Sequence, residues 1–171
     1  MKEKSIIIFG SSRQDGNTMT LLKTILDGRS IEIINLMEKK IFYYDYEHKN
    51  NDDDFLPLIK TILQYQNIIF ASPVYWYSFS AQMKTFIDRL SDLLAVHKDL
   101  GRSLIDKSTY LISTGSDDNY PICFEEQFQL ISGYLGMKYS GLHYCSFTEP
   151  NTMSELQIQS AKAFGHSIFE I

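Results

Sequence analysis

The chain has 171 residues, with 16 Lys plus Arg against 21 Asp plus Glu and a formal net charge of −5. That balance excludes a general nucleic-acid surface, which needs clustered positive charge, and leaves room for one local anion site. With 44% hydrophobic and 22% charged residues, the composition is that of a globular chain with a full core rather than a disordered one.

The first apolar stretch, Lys4–Phe9, reads as a short β-branched strand that stops at Gly10. It is too short for a secretory h-region, and no stretch reaches the length of a membrane span. Cys123 and Cys145 have neither disulfide-framework nor CxxC spacing. The expectation is a reduced, cytoplasmic chain away from membranes. A helical run on Met19, Leu22, Ile25 and Leu26 follows, then a second strand, Ser30–Leu36. Residues 39–54 form a polar, aromatic stretch without periodicity.

Asp52-Asp53-Asp54 can cap the next helix, patterned on Phe55, Leu58, Ile59 and Ile62, with Pro57 in the first turn, where no N–H is needed. A third strand, Asn67–Ala71, precedes the clearest helix, whose stripe runs Met83, Phe86, Ile87, Leu90, Leu93, Leu94. After the strand Ser108–Ser113 comes a helix on Phe124, Phe128, Ile131 and Leu135, then a last strand, Tyr139–Phe147. Thr152-Met153-Ser154-Glu155 has capping-box spacing ahead of the final helix. Five strands alternating with five helices imply a single α/β domain over residues 1–171, a parallel sheet with helices on both faces.

Two loops carry the chemistry. The first, Gly10-Ser11-Ser12-Arg13-Gln14-Asp15-Gly16-Asn17-Thr18, joins the first strand to the first helix, where an open α/β sheet builds its ligand crevice. A helix N-terminus there favours a phosphate. Ser11, Asn17 and Thr18 can add side-chain hydrogen bonds, and Arg13 a charged fork. Gly10 and Gly16 are expected to permit tight turns. The plainer alternative is a polar turn with Asn17 or Thr18 as the N-cap. There is neither a G-x-x-x-x-G-K-[ST] nor a G-x-G-x-x-G pattern.

The second loop, Ser72-Pro73-Val74-Tyr75-Trp76-Tyr77-Ser78, sets three consecutive aromatics at the end of the third strand. Backbone N–H groups of Val74, Tyr75 and Trp76 are expected to be free for a ligand edge, with the rings stacking on a planar heterocycle. Core or subunit contacts are the alternative use for such rings.

Taken together, the Gly10–Thr18 segment resembles the G-S-x-R-x-x-x-N-T phosphate loop of the NADPH-dependent FMN reductase family. Ser72–Arg89 resembles that family's P-V-Y-W-x-S-x-S-A-x-x-K-x-F-I-D-R segment. The resemblance implies a flavodoxin-like, doubly wound five-stranded sheet of order 2-1-3-4-5. It also implies FMN as cofactor and NAD(P)H as co-substrate, with a small-molecule acceptor such as a quinone, an azo or nitro compound, or a flavin. By matching position, Ser11, Arg13, Asn17 and Thr18 would hold the FMN phosphate, and Pro73, Val74, Tyr75 and Trp76 the isoalloxazine. Thr114, Gly115 and Ser116 would meet the ring's pyrimidine edge. Relatives are commonly homodimers or homotetramers, which extends that expectation to this chain. Some relatives carry a cysteine cluster after the second strand, but here residues 41–48 read Ile-Phe-Tyr-Tyr-Asp-Tyr-Glu-His, so no iron–sulfur cluster is expected. Tyr43, Tyr44 and Tyr46 are read as loop packing, Cys123 as a small buried residue, and Asp88-Arg89 as a packing or ion-pair element. The flavin would carry the reaction, so no catalytic side chain is assigned. An electron-transfer flavodoxin is the alternative function.

Overall fold

The computed structural model describes residues 4–169. In chain order the elements are β1 (Ser5–Phe9), α1 (Asn17–Leu26), β2 (Glu32–Asn35) with a 3-10 turn at Leu36–Glu38, α2 (Phe55–Ile62) and β3 (Asn67–Pro73). Three helices follow, α3 (Ala81–Arg89), α4 (Ser91–Ala95) and α5 (Lys98–Arg102), then β4 (Ser108–Gly115), α6 (Ile122–Tyr134), β5 (Lys138–Ser146) and α7 (Glu155–Phe169). The strands form one parallel sheet of order β2-β1-β3-β4-β5, the flavodoxin-like order expected.

Strand alternation divides the core into two layers. Ile6 and Ile8 of β1, with Ile68 and Phe70 of β3, pack against α2, α3 and α6 through Phe55, Phe86 and Phe128. Ile7 and Phe9, with Ile69 and Ala71, face α1 and α7 through Leu22, Ile25 and Ala161. Adjacent residues of a strand point to opposite faces, so a run such as Ile6-Ile7-Ile8-Phe9 must be apolar throughout when helices cover both sides. All four side chains are fully buried. Helices α1 and α7 approach so closely that a Cβ on Gly165 would overlap the backbone carbonyl of Ile25.

Three local expectations differ. The expected long third helix breaks at Leu90, where Leu90 N–H bonds the Ile87 carbonyl at 3.0 Å and Leu93 N–H the Leu90 carbonyl at 3.0 Å. These are i→i−3 bonds, and the tightened turn stands between Arg89 and Asp92, whose side chains bond each other at 2.7 Å. The final helix begins two residues later than its capping-box spacing suggested. Its reciprocal cap joins Ser154 and Gln157: Ser154 N–H reaches Gln157 Oε1 at 2.8 Å and Gln157 N–H reaches Ser154 Oγ at 3.3 Å. β3 and β4 each run two residues further than read, to Pro73 and Gly115, which carries regular pairing up to both candidate loops.

Arg89 is fully buried and makes no bond with its neighbour Asp88, which pairs instead with exposed Lys84. Its guanidinium meets the carboxylates of Asp53 and Asp92 and donates to the carbonyls of Phe42 at 3.2 Å and Asn50 at 2.9 Å. It also lies over the Phe55 ring at 4.6 Å. The ion-pair reading of Arg89 therefore holds, and its partners fasten the irregular 39–54 segment to the α3–α4 junction. Tyr43 and Tyr46 in that segment project into solvent, contrary to the packing reading, and only Tyr44 is partly covered. No helix among the described residues is long and apolar enough to cross a membrane.

Candidate active site

The sheet reverses direction of winding between β1 and β3, and ligands of open α/β sheets sit at the carboxyl ends of the strands beside such a reversal. A cleft of about 230 Å³ lies there. Ser11, Arg13, Asn17 and Thr18 line it from the β1–α1 loop, Pro73, Val74 and Tyr75 from the end of β3, and Thr114, Gly115 and Ser116 from the end of β4. Gly16 completes the lining. Trp76 lies in an adjoining cavity of about 170 Å³ that shares Val74, Gly115 and Ser116 with the first. Each of the eleven residues singled out in the sequence thus lines one or the other of these two adjoining cavities.

The phosphate-loop half is built from donors. Gly16 is the N-cap of α1 and no side chain caps that terminus. The first intrahelical bond runs from Thr20 N–H to the Gly16 carbonyl at 3.1 Å, so the amides of Asn17, Thr18 and Met19 precede the ladder. The plainer alternative, Asn17 or Thr18 as N-cap, does not occur. Arg13 is exposed, and its side chain runs alongside Gly16. Asn17 Oδ1 accepts from Asn151 N–H at 2.8 Å, so what its side chain offers an anion is the Nδ2 donor. Thr18 Oγ1 and Thr114 Oγ1, both buried, lie 2.7 Å apart and tie α1 to β4. Ser11 Oγ accepts from Arg13 N–H at 3.3 Å. Neither glycine of this loop has a positive φ, which corrects the tight-turn expectation. Gly10 is needed for close approach instead: a Cβ there would sit 3.1 Å from Met83 Cβ, Met83 N and Ser80 Oγ.

Serines outside the candidate set hold the floor. Ser80 caps α3 by accepting from Met83 N–H at 3.2 Å and donates to the Gly10 carbonyl at 2.8 Å. Ser72 Oγ accepts from Ser80 N–H at 3.0 Å, and Ser113 Oγ donates to the Ser72 carbonyl at 2.8 Å. All three are completely buried. The serines of the second motif therefore bolt β1, β3, β4 and α3 together beneath the cleft. Their signal was present as spacing alone, Ser72 and Ser80 eight residues apart, and their partners were not.

The aromatic half differs from expectation in its backbone. Val74 N–H is used by the Thr114 carbonyl at 2.8 Å and Tyr75 N–H by the Ser78 carbonyl at 2.8 Å. Of the three amides expected to be free, only that of Trp76 has no hydrogen bond among the described residues. Ser78 N–H returns to the Tyr75 carbonyl at 3.0 Å, closing a two-residue reverse turn. Its central residues, Trp76 and Tyr77, have φ of 49° and 65°. Both central residues at positive φ make this a type I′ turn, a geometry that normally takes Asn-Gly or Gly-Gly. Holding it with two aromatics costs about 1–2 kcal/mol per residue. The turn is tied to α6, with Ser78 Oγ donating to Gln127 Oε1 at 3.1 Å and Cys123 Sγ lying 3.7 Å from the Tyr77 carbonyl. Cys123 is exposed there rather than buried, whereas Cys145 lies in the core.

The strain presents Trp76 to solvent with 94% of its surface accessible. Trp76→Gly is therefore expected to leave the fold as stable or stabilise it by up to about 1 kcal/mol, since relieved strain outweighs the entropy of a new glycine. The same change removes the ring from the cavity it lines, and turnover of a planar substrate reacting there should fall. Thermal melting and turnover on one preparation check both arms, and a clear loss of stability would mean the turn is not strained.

These donors and rings suit an aromatic phosphate monoester: α1 amides, Arg13 and hydroxyls at one end, aromatics and short polar residues at the other. The chain matches the NADPH-dependent FMN reductase family over residues 4–149. It belongs to that family. A protein of Bacillus subtilis (strain 168), provisionally named the NAD(P)H-dependent FMN-containing oxidoreductase YwqN, is 32% identical over 150 residues, covering 81% of this chain and 82% of that one. An iron–sulfur flavoprotein of Archaeoglobus fulgidus is 33% identical over 99 residues, 51% of this chain and 45% of that protein. Among solved structures, the Trp repressor binding protein from Bacillus subtilis superposes with a TM-score of 0.75 at 27% identity, covering 94% of this chain and 96% of that one. In this chain the second strand is followed by residues 41–48 without a cysteine, and the described residues contain no group of three or more His, Cys, Asp or Glu placed to hold a metal.

Proposed function

We propose that this chain is an FMN-dependent NAD(P)H oxidoreductase that delivers electrons to a small planar acceptor, such as a quinone, an azo or nitro compound, or a free flavin. The observation that carries the reading is the convergence of three loops on two adjoining cavities that share Val74, Gly115 and Ser116. Residues 11–18, 73–76 and 114–116 lie far apart in the chain and meet at the switch point of the sheet.

Bound FMN would supply the redox chemistry, exchanging two electrons with NAD(P)H on one side of the cycle and with the acceptor on the other. The α1 amides and Arg13 hold the phosphate. Each charge-assisted hydrogen bond contributes about 1.5–3 kcal/mol, enough in concert to retain a phosphate on an acidic chain. Thr114, Gly115 and Ser116, with Tyr75 and Trp76, would hold the isoalloxazine. The Trp76 indole, standing in solvent, borders the space where nicotinamide and acceptor take turns. We assign no iron–sulfur cluster, because the segment that bears its cysteines in some relatives has no thiolate to offer.

The test is the visible spectrum of the purified protein with added FMN, followed by anaerobic NADPH and NADH. Flavin bands that shift on binding and bleach with either nucleotide support the reading. Bands that shift but bleach with neither indicate an electron carrier, and bands that never shift remove the flavin altogether.

A further inference from the structure

Tyr144 was not among the candidate residues, yet it closes the wall of the adjoining cavity opposite the aromatic turn. It lies on β5, the edge strand, and reaches its place through a bulge. Thr109 pairs with Tyr139 and Leu111 with Leu142, so β5 carries one extra residue, and Gly141 there has φ of 135°. An extra residue shifts every later side chain by one position, which exchanges the two faces. Tyr144 therefore stands opposite Ser113, where unbroken pairing would have put His143.

From that position the phenol donates to the Asp117 carbonyl at 2.6 Å. Its ring packs against Tyr120 at 5.6 Å between centroids. It also covers Gly115 so tightly that a Cβ on Gly115 would fall 2.5 Å from the phenol oxygen and 3.3 Å from Cε2 and Cζ. The glycine is required by Tyr144, not by its own backbone angles. With Val74, Trp76 and Pro121, these groups enclose the cavity of about 170 Å³. Burial, reinforced by the Asp117 carboxylate, pushes the phenol's pKa up to about 12, so it remains a proton donor throughout the neutral range.

We propose that Tyr144 is a positioning residue for the flavin ring, a phenol on the edge strand that sets the 115–117 backbone receiving the pyrimidine edge. This rests on the flavin reading above. Short backbone amides and carbonyls serve a planar ligand only if their direction is fixed, and the β4–α6 loop has few other anchors to fix it. The hydrogen bond aims the Asp117 peptide, and the ring packs over Gly115, whose carbonyl is already fixed to the end of β5 by Phe147 N–H at 2.9 Å.

The experiment compares the native chain with Tyr144→Phe, Gly115→Ala and the double variant. FMN and riboflavin are titrated by visible absorbance, and the midpoint potential of the bound flavin is measured. Tyr144→Phe is expected to weaken FMN and riboflavin equally, by roughly 3–10-fold, because a neutral hydrogen bond on the ring side is lost and the phosphate side is untouched. The bound spectrum should move toward that of free flavin and the potential should shift. Gly115→Ala should weaken binding less in the Tyr144→Phe background than in the native chain, since the closest clash is with the phenol oxygen. A Tyr144→Phe protein with native spectrum, potential and affinities, whatever its melting temperature, would overturn the proposal and leave Tyr144 a packing residue. If the native chain binds neither flavin, the functional reading fails by itself. The positioning claim is then decided on unliganded protein by the backbone heteronuclear NOEs of Ser116, Asp117 and Asp118. A fall in Tyr144→Phe supports it and unchanged values overturn it.

Discussion

Replacing Arg89 by Ala is expected to destabilise the protein by about 3–5 kcal/mol, the usual cost of leaving buried carboxylates without their counter-charge. For a chain of this length that corresponds to a melting temperature lower by about 6–20 °C. The guanidinium and both carboxylates are almost completely shielded, with side-chain accessibilities of 1% for Arg89 and Asp53 and 9% for Asp92. The attraction is therefore not screened as a surface pair's would be. Two further effects add to the charge: a cavity against Phe55, and the loss of donors to the Phe42 and Asn50 carbonyls. Arg89→Lys keeps the charge but cannot span four acceptors with one ammonium, so its loss should be smaller but still measurable. Because those carbonyls belong to the 39–54 segment, limited proteolysis should cut there first in both variants. A loss under about 1 kcal/mol for Arg89→Ala would show that the partners left behind, His48 at Asp92 and the amides of Phe42 and Phe55 at Asp53, together with water, compensate both carboxylates and that Arg89 is not what anchors the segment.

That network illustrates what the sequence could and could not convey. The sequence showed Arg89 only as half of an Asp88-Arg89 packing or ion-pair element, and Asp88 turns to Lys84 instead. The partners of Arg89 were not legible, since Asp53 lies 36 residues away and was read as one of three interchangeable capping carboxylates. In the structure the three separate. Asp53 Oδ1 accepts from Phe55 N–H at 3.0 Å while its other oxygen serves Arg89, and Asp54 Oδ2 accepts from Lys40 N–H at 2.7 Å. The strand order came only with the family resemblance, whereas the strand–helix alternation and the two-layer core were legible because period and burial are local properties of the chain. The loops' residue identities were legible for the same reason. Their backbone was not: nothing in Tyr75-Trp76-Tyr77-Ser78 announces a type I′ turn, since the usual Asn-Gly or Gly-Gly signal is absent and tertiary contacts with α6 impose the geometry. Tyr144 escaped because a bulge decides which face it occupies, and no period count registers one extra residue at Ser140-Gly141.

The second large effect concerns the cleft at the α1 terminus. Arg13→Ala is expected to weaken FMN binding about 10–100-fold, in line with the roughly 1.5–3 kcal/mol that a hydrogen bond to a charged group contributes. The α1 terminus has no side-chain cap and Asn17 has already committed its oxygen to Asn151, so the loop offers an anion amides, hydroxyls and one full positive charge. Helix-terminal amides contribute partial charge, equivalent to about half an elementary charge at the terminus. Among the described residues Arg13 is the only cation lining the cleft, and none of them offers a lysine or arginine there to replace it. Riboflavin, which lacks the phosphate, should bind native and Arg13→Ala proteins equally, the reverse of the Tyr144→Phe pattern. Raising the salt concentration should weaken FMN binding to the native chain more than to the variant, because the exposed guanidinium is open to screening. Arg13 makes no contact that secures the core, and the melting temperature of unliganded Arg13→Ala should match the native value. Equal losses of FMN and riboflavin affinity would move Arg13 from the phosphate to the ring. Unchanged FMN affinity would leave the α1 amides, Asn17 Nδ2 and the hydroxyls of Ser11 and Thr18 as the whole of the anion site.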